Sequence, residues 1–279
     1  MGSDNVFDAA NASRFRKYME QMKAYYSCLP LEFILDGGDW LNDGDYIVTA
    51  MEKLGQVDAT YKSVLGENVR RPLVGNHDNN EQGYQDADHT TTGSGLLSND
   101  QLRLAWFSKY PHCYYSFKGM DTAFYCLDSG SDKSSTMTAY RWEQIAWLGE
   151  ALNSDNSVHK VIAMHIFYNT SIAAAEKTGL ATNVLALISA FNAKETVTLN
   201  SVTYDFTNAT GKVACIISGH THQDGNVTES GIPVIFTQNA FKQGDVGATF
   251  DLCVLDYDAA KLNMVRVGDG SNRSISIVT

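Results

Sequence analysis

Four short apolar segments of this chain each run into Asp, Asn or His residues, and this repeated pattern most limits what the chain can fold into. Short apolar runs bounded by glycine and turn residues predict buried β-strands. Because ligands bind beyond the carboxyl ends of strands in open α/β sheets, side chains that follow neighbouring strands should converge. The segments are LEFIL (31–35), RPLV (71–74), KVIAMHIF (160–167), in which VIAM runs into His165, and VACIISG (213–219), in which ACIIS runs into GHTHQD. The residues expected to converge are Asp39, Asn76, His165, His220 and His222.

Helical patterns alternate with these strands, and further strands crowd the end of the chain. Residues 11–28 have apolar side chains at three- and four-residue spacing, which predicts a helix. Strands that alternate with helices indicate an α/β protein with central sheets and helices outside. The other predicted helices are 43–65, 98–109, 140–152 and 183–191, and the other predicted strands are 114–117, 122–128, 233–236 and a hairpin over 249–267. No linker or repeat is visible, so residues 1–279 are interpreted as one domain.

Composition narrows the classes of partner. The chain has 279 residues, is 44% hydrophobic and carries a net charge of −11. That charge repels nucleic acid and anionic membranes, and no run reaches the roughly 18 apolar residues of a membrane span.

The five cysteines form no CxxC pair, which indicates a reducing compartment. With no signal peptide at Met1, although the start could be cut or engineered, we expect a cytoplasmic protein.

The histidines strengthen the prediction of a metal site. Four of the seven histidines follow predicted strands, including His77. Carboxylate, amide oxygen and imidazole, without thiolate, suit Mn²⁺, Fe or Zn²⁺. The expected ligands are too many for one tetrahedral ion, and two ions bridged by a carboxylate would account for the surplus.

The segment GNHD (75–78) has two interpretations when it is considered alone. Gly, Asn and Asp are turn formers, so the segment could be only a turn. Alternatively, Asn76, His77 and Asp78 could supply metal-binding and acid–base groups.

Together these segments resemble the signature blocks of the calcineurin-like metallophosphoesterases. The blocks are Gly38-Asp39, Gly75–Asp78, the strand-end His165 and Gly219–His222. The resemblance covers about residues 33–222, and the strands that follow fit the second sheet of that family. It implies a layered β-sandwich of two mixed sheets flanked by helices. It also implies metal-dependent hydrolysis of a small phosphate ester.

The resemblance implies a role for each matching residue. Asp39 would bridge two divalent ions, and Asn76, His165 and His220 would complete the second ion's ligands. His222 would bind the first ion. His77 would protonate the leaving oxygen, and Asp78 would orient and polarise His77.

One block of that family is incomplete here. The family opens with a strand followed by Asp-x-His, whereas this chain begins MGSDNVF. Asp4 could be the Asp, but Val6 then stands where the His belongs and no strand precedes it. We therefore expect a missing first strand, possible truncation at the N-terminus, and a weak first metal site.

Weaker candidates and alternative functions accompany this interpretation. Trp40, Phe167 and Tyr168 follow ligand positions and could line a substrate pocket or simply pack. Residues 79–95 are polar and Gly- and Thr-rich, so they could form a loop over the site or a surface loop. The alternatives to an enzyme are a non-catalytic scaffold on the same fold and a mononuclear metal-binding module. Nothing in the sequence indicates the oligomeric state.

Overall fold

The computed structural model describes residues 9–41, 47–80, 97–107, 109–130, 138–168, 172, 177–240 and 248–279. Asp4, Val6 and most of the predicted 79–95 loop lie outside these residues.

Five helices are found in the described residues, and they correspond to the five predicted from the sequence. None of them is both long and apolar enough to cross a membrane. The helices are α1 (Ala9–Cys28), α2 (Ile47–Leu65), α3 (Asn99–Trp106), α4 (Thr138–Ser154) and α5 (Gly179–Ala193).

Thirteen strands accompany the helices in the described part of the chain. The first seven are β1 (Ile34–Asp36), β2 (Arg70–Pro72), β3 (Tyr115–Gly119), β4 (Thr122–Leu127), β5 (His159–Met164), β6 (Thr196–Leu199) and β7 (Val202–Asp205). The remaining six are β8 (Lys212–Ser218), β9 (Gly225–Glu229), β10 (Ile232–Phe236), β11 (Phe250–Asp256), β12 (Lys261–Val267) and β13 (Arg273–Ser276).

A six-stranded mixed sheet forms the centre of the fold. Its strand order is β3-β4-β5-β8-β10-β9. Strands β4, β5, β8 and β10 are parallel, and the edge strands β3 and β9 are antiparallel to their neighbours. The parallel strands therefore all end at one edge of the sheet, where ligand-binding loops are expected.

Both faces of this sheet are packed against other elements. Successive side chains of a strand point to opposite faces, so apolar residues next to each other in β4 enter different parts of the core. In β4, Tyr125 packs with α4 and α5 on one face. The neighbouring Phe124 packs on the opposite face against Leu262, Met264 and Ile275, from β12 and β13. Strands β11, β12 and β13 form a separate three-stranded sheet, so sheet packs on sheet with helices outside.

Strands β1 and β2 form a parallel pair that the first three helices cover. Apolar residues of α1, α2 and α3 share one buried cluster with Ile34, Leu73 and Val74. Phe250 at the start of β11 packs edge-on against Tyr18 and Tyr25 of α1. This packing places the end of β1, and the residues that follow it, between the helices and the central sheet.

The predicted fold class is confirmed, and the differences concern polar strands. The hairpin β6–β7, the edge strand β9 and the last strand β13 were not predicted. Their burial patterns are mostly exposed or intermediate, so they lack the apolar run that identifies a buried strand. The predicted helix 98–109 is shorter, because it ends at Trp106.

A buried ion pair supports the β1–β2 pair. Arg70 Nε donates to Asp36 Oδ2 at 2.7 Å, and both side chains are about 5% exposed or less. The indole Nε1 of Trp40 donates to the same carboxylate at 2.8 Å. The guanidinium also lies over the rings of Tyr61 and Trp106. Asp36 is therefore fixed three residues before Asp39.

The Arg70 pair gives a test of this support. Arg70→Met should lower the free energy of unfolding by roughly 3–5 kcal/mol, because it leaves the Asp36 carboxylate buried without its cation. Lys62→Met is the matched control, because Lys62, whose side chain is 44% exposed, forms an i,i+4 pair with Asp58. Its loss should cost about 0.5 kcal/mol or less. Urea unfolding measures both, and equal small losses would contradict the structural role of Arg70.

Candidate metal centre

Two pairs of parallel strands set out the candidate site. Asp36 of β1 is in register with Pro72 of β2, so the loops that carry Asp39 and Asn76 leave side by side. Met164 of β5 is in register with Ser218 of β8, so His165 and Gly219 are neighbours. The four strand ends of the expected pattern thus lie in two neighbouring pairs.

Asp39, His165 and His220 come together at this edge. One possible ligand atom from each of them lies within 4.8 Å of the others. The His165 and His220 rings lie 5.4 Å apart, nearly edge to face. This group could hold a metal ion, and it is the one cluster of at least three His, Cys, Asp or Glu residues with such spacing in the described chain.

His165 has the proton arrangement of a metal ligand. Its Nδ1 lies 2.6 Å from the carbonyl oxygen of Gly37. A carbonyl can only accept, so Nδ1 carries the proton and the neutral ring has its lone pair on Nε2. Nε2 lies 3.0 Å from Asp39 Oδ2 but is buried without a hydrogen-bond partner. Two electron-rich atoms this close require a cation between them, either a proton or a metal ion, and a backbone partner on the other nitrogen is typical of metal-bound histidine.

Asn76 adds an oxygen to the same site. The residue is 3% exposed, and its Oδ1 is buried without a hydrogen-bond partner in the described structure. A buried acceptor that is left unpaired normally costs about 1–3 kcal/mol. The backbone N–H of the next residue, His77, donates to Asp39 Oδ1 at 3.0 Å, so Asn76 is tied to Asp39 through one peptide unit. A metal ion would satisfy the amide oxygen, so the residues present fit the group that the site would bind.

Asp78 connects the two loops rather than standing free in the site. Its buried carboxylate accepts four backbone N–H groups, from Gly75 and Asp39 at 2.8 Å, Trp40 at 2.6 Å and Leu41 at 3.2 Å. These bonds hold the loop after β1 against the loop after β2. The expected orientation of His77 by Asp78 stays a prediction, because these hydrogen bonds of Asp78 all go to the backbone.

Gly75 is required by the closeness of the two loops. A Cβ atom at Gly75 would overlap the Asp39 carboxylate. Gly38 is constrained as well, because its φ is +87° and a Cβ there would lie 2.6 Å from the Gly75 nitrogen. Glycine thus permits Asp39 to approach the GNHD loop.

Three of the predicted ligands have left-handed backbone conformations. The φ angles are 65° at Asp39, 62° at His220 and 51° at His222. Residues other than glycine adopt this region at a cost, and such strain concentrates at functional sites. The surrounding contacts must therefore hold these loops in place.

The surroundings of the site shift the pKa values of Asp39 and Asp78 in opposite directions. Burial alone would raise the pKa of Asp39, but the positive charge of a protonated His165 beside the carboxylate lowers it below its usual range. Burial and the nearby charge of Asp39 raise the pKa of Asp78 to about 6, against the lowering effect of its backbone N–H partners. Burial alone would lower the pKa of His165, but Asp39 raises it. The anionic charge is thus favoured on Asp39, beside the histidines.

The other predicted site residues have different surroundings. His77 is half-buried and His222 is exposed, and His222 lies outside the close group of Asp39, His165 and His220. Trp40, Phe167 and Tyr168 are buried, with 7%, 0% and 1% exposure. Such burial is what packing residues show, and the substrate-lining role stays a prediction.

A fifth strand end was missed in the sequence. Residues Asp128, Ser129 and Gly130 follow β4 and are buried. The Ser129 hydroxyl accepts from the Ile166 backbone N–H at 2.7 Å, and a Cβ at Gly130 would overlap the Gly75 carbonyl group. The signal was present, because Asp128, Ser129 and Gly130 lie at the end of the strand predicted over 122–128, much as DGGD and GNHD lie at the ends of theirs.

The fold and site define an α/β protein with metal-type ligands at the strand ends. Residues 8–224 match the family described as calcineurin-like phosphoesterase. The chain belongs to this family. A comparison with curated proteins finds no match.

Among the solved structures that match this chain, two show the shared fold. A purple acid phosphatase from yellow lupin (Lupinus luteus) seeds is 11% identical, with a TM-score of 0.54. The match covers 93% of this chain but 48% of the lupin chain, so this chain spans about half the length of that enzyme. GAP50, described as the anchor in the inner membrane complex of Plasmodium, is 13% identical with a TM-score of 0.50, and the match covers 94% of this chain and 84% of that one.

Substitution of Gly75 tests the close approach of the loops. Gly75→Ala should displace Asp39 and lower both the free energy of unfolding, by about 1–3 kcal/mol, and the affinity for added Mn²⁺. Gly55→Ala is the matched control, because Gly55 lies inside α2 with nothing within 4 Å of an added Cβ. It should stabilise the protein by roughly 0.5–1 kcal/mol. Thermal unfolding and Mn²⁺ calorimetry measure both variants, and wild-type binding by Gly75→Ala would refute the argument.

Proposed function

We propose that this chain is a metal-dependent phosphoesterase that hydrolyses a small phosphate ester. The observation that supports it most is the Asp39–His165–His220 group with ligand atoms within 4.8 Å, beside the unpaired Oδ1 of Asn76, in a chain of the calcineurin-like phosphoesterase family. A phosphate ester is anionic, and the chain carries a net charge of −11. Divalent cations would supply the local positive charge that such a substrate needs.

The proposed centre is dinuclear, with ions of the Mn²⁺, Fe or Zn²⁺ type. Asp39 would be shared between the ions, Asn76, His165 and His220 would hold the second, and His222 and Asp4 would contribute to the first. When bound, such ions neutralise the phosphate, lower the pKa of bound water and stabilise in-line displacement.

His77 is the proposed general acid. Its backbone N–H is fixed on Asp39 Oδ1, and its side chain is half-buried, so the imidazole has access to substrate while its backbone is held. In this role the protonated ring donates a proton to the leaving oxygen as the ester bond breaks. Asp78 would act on His77 by holding the loop through its backbone hydrogen bonds.

His77→Asn separates acid chemistry from metal binding. Turnover should fall by roughly 10²–10⁴-fold if general acid catalysis is lost, whereas the metal content should stay near that of the wild type. His165→Asn is the matched control, and it should lose metal and turnover together. Metal analysis and hydrolysis of an aryl phosphate ester measure both variants. Loss of metal from His77→Asn would show that His77 is a ligand.

The two ions should differ in affinity. Among the proposed ligands, the first ion would have Asp4, Asp39 and His222, whereas the second would have Asp39, Asn76, His165 and His220. Fewer protein ligands leave more of the ion to exchangeable water and weaken its binding.

We therefore expect low activity as isolated that rises on titration with Mn²⁺. The measurement is the rate of aryl phosphate hydrolysis as a function of added Mn²⁺. Full activity with two tightly held ions and no response to added metal would refute the asymmetry.

A scaffold role is the second candidate, and the similarity to GAP50 favours it. GAP50 is described as an anchor, and the match covers 94% of this chain. In a scaffold the ligand group could bind one metal ion without turnover. Absence of hydrolysis at every Mn²⁺ concentration, with metal still bound, would support this candidate over the enzyme.

A further inference from the structure

A partly buried ion network joins the loop after β8 to the three-stranded sheet. The Arg266 side chain is 2% exposed, and its guanidinium group forms hydrogen bonds with two carboxylates. It donates to Asp224 at 2.5 and 2.7 Å and to Asp251 at 2.9 and 3.0 Å. Arg273 lies 3.3 Å from Asp224 and 3.0 Å from Asp251. Two arginines thus balance two aspartates, which burial of the charges requires.

Asp224 places this network next to the candidate metal centre. It is the second residue after His222 and directly precedes β9. Its Oδ1 also accepts from the Gln238 backbone N–H at 3.2 Å, so Asp224 is bound from β12 and from the residues after β10. The network therefore fixes the C-terminal end of the turn 219–223.

The N-terminal end of the same turn is fixed on His165. The Gly219 N–H donates to the His165 carbonyl at 3.1 Å, and the Ser218 hydroxyl donates to the same carbonyl at 2.9 Å. Between the two fixed ends lie His220 and His222, both in left-handed conformations. A turn that contains two such residues would relax if one end were released.

We propose that Arg266 is a positioning residue for the candidate metal centre. By holding Asp224 with two parallel hydrogen bonds, it keeps turn 219–223 in the conformation that brings His220 to Asp39 and His165. This inference rests on the proposed metal-dependent function. The competing explanation is that Arg266 only fastens the three-stranded sheet to the central sheet.

Metal binding by two variants distinguishes these explanations. Asp224→Asn removes the negative charge of one of the two carboxylates that Arg266 binds. Arg266→Lys keeps the positive charge but loses the bidentate geometry. Both should weaken Mn²⁺ binding by roughly 10–100-fold, as loss of supporting contacts around metal ligands does. Both should also change the visible absorption spectrum of the Co²⁺-loaded protein, which reports the ligand geometry. Calorimetry and Co²⁺ titration give these readouts, with circular dichroism to confirm folding.

Lys160→Met is the matched control for lost stability. Lys160 is fully buried and donates to the Ser157 and Thr210 carbonyls, near the starts of β5 and β8. Lys160→Met therefore disturbs β5 and β8, the strands that precede His165 and turn 219–223, at their ends opposite the site. It should lower the melting temperature but leave Mn²⁺ affinity and the Co²⁺ spectrum unchanged.

Each outcome decides between the explanations. Wild-type Mn²⁺ affinity and Co²⁺ spectra in both Asp224→Asn and Arg266→Lys would overturn the positioning role while leaving the proposed function intact. Equal weakening in Lys160→Met would also overturn it, because the effect would then follow stability alone. A wild-type protein that takes up neither metal would refute the proposed function and this inference with it. If Asp224→Asn does not fold, Arg266→Lys, which retains the charge, carries the test.

Discussion

The carboxylate of Asp78 is the group on which the arrangement of the site depends. Two strand-end loops meet here, and their irregular backbone would leave several buried N–H groups unpaired. Asp78 accepts four of them, from Gly75, Asp39, Trp40 and Leu41. Hydrogen bonds to a charged group contribute about 1.5–3 kcal/mol each, which offsets the cost of burying the carboxylate. Because one side chain satisfies both loops, the position of Asp39 relative to His165 depends on the GNHD loop.

The buried arginines near the site have their charges neutralised within the fold. Arg70 pairs with Asp36 beneath the β1 loop, and Arg266 pairs with Asp224 and Asp251 beside the β8 loop. Their positive charge is therefore used to hold loops and is not available to an anion in the site. This distribution is consistent with the proposal that bound cations supply the charge for a phosphate ester. It also explains why an acidic chain contains arginines this deeply buried.

The grouping of Asp39, His165 and His220 could be predicted from the sequence because parallel strands end at one edge. Neighbouring apolar runs followed by polar residues are enough to indicate that convergence. The loop-to-loop role of Asp78 could not be predicted, since it depends on the distance between two irregular segments. The Arg266–Asp224 pair also could not be predicted from the sequence, because the two residues are 42 positions apart and neither lies in a motif. Trp40 and Tyr168 remained ambiguous because an aromatic residue after a ligand has the same sequence pattern in a pocket and in a core.

The left-handed residues connect stability with the proposed chemistry. A free loop would relax from these conformations, so Asp39, His220 and His222 stay in them only while bonds elsewhere hold the backbone. For Asp39 those bonds come from Asp78 in the next loop, and for the two histidines they come from His165 on one side and Asp224 on the other. The strain is thus carried by the folded protein before any ion or substrate arrives. A site arranged in advance loses less free energy to reorganisation on binding, and its loops are correspondingly less stable than relaxed loops would be.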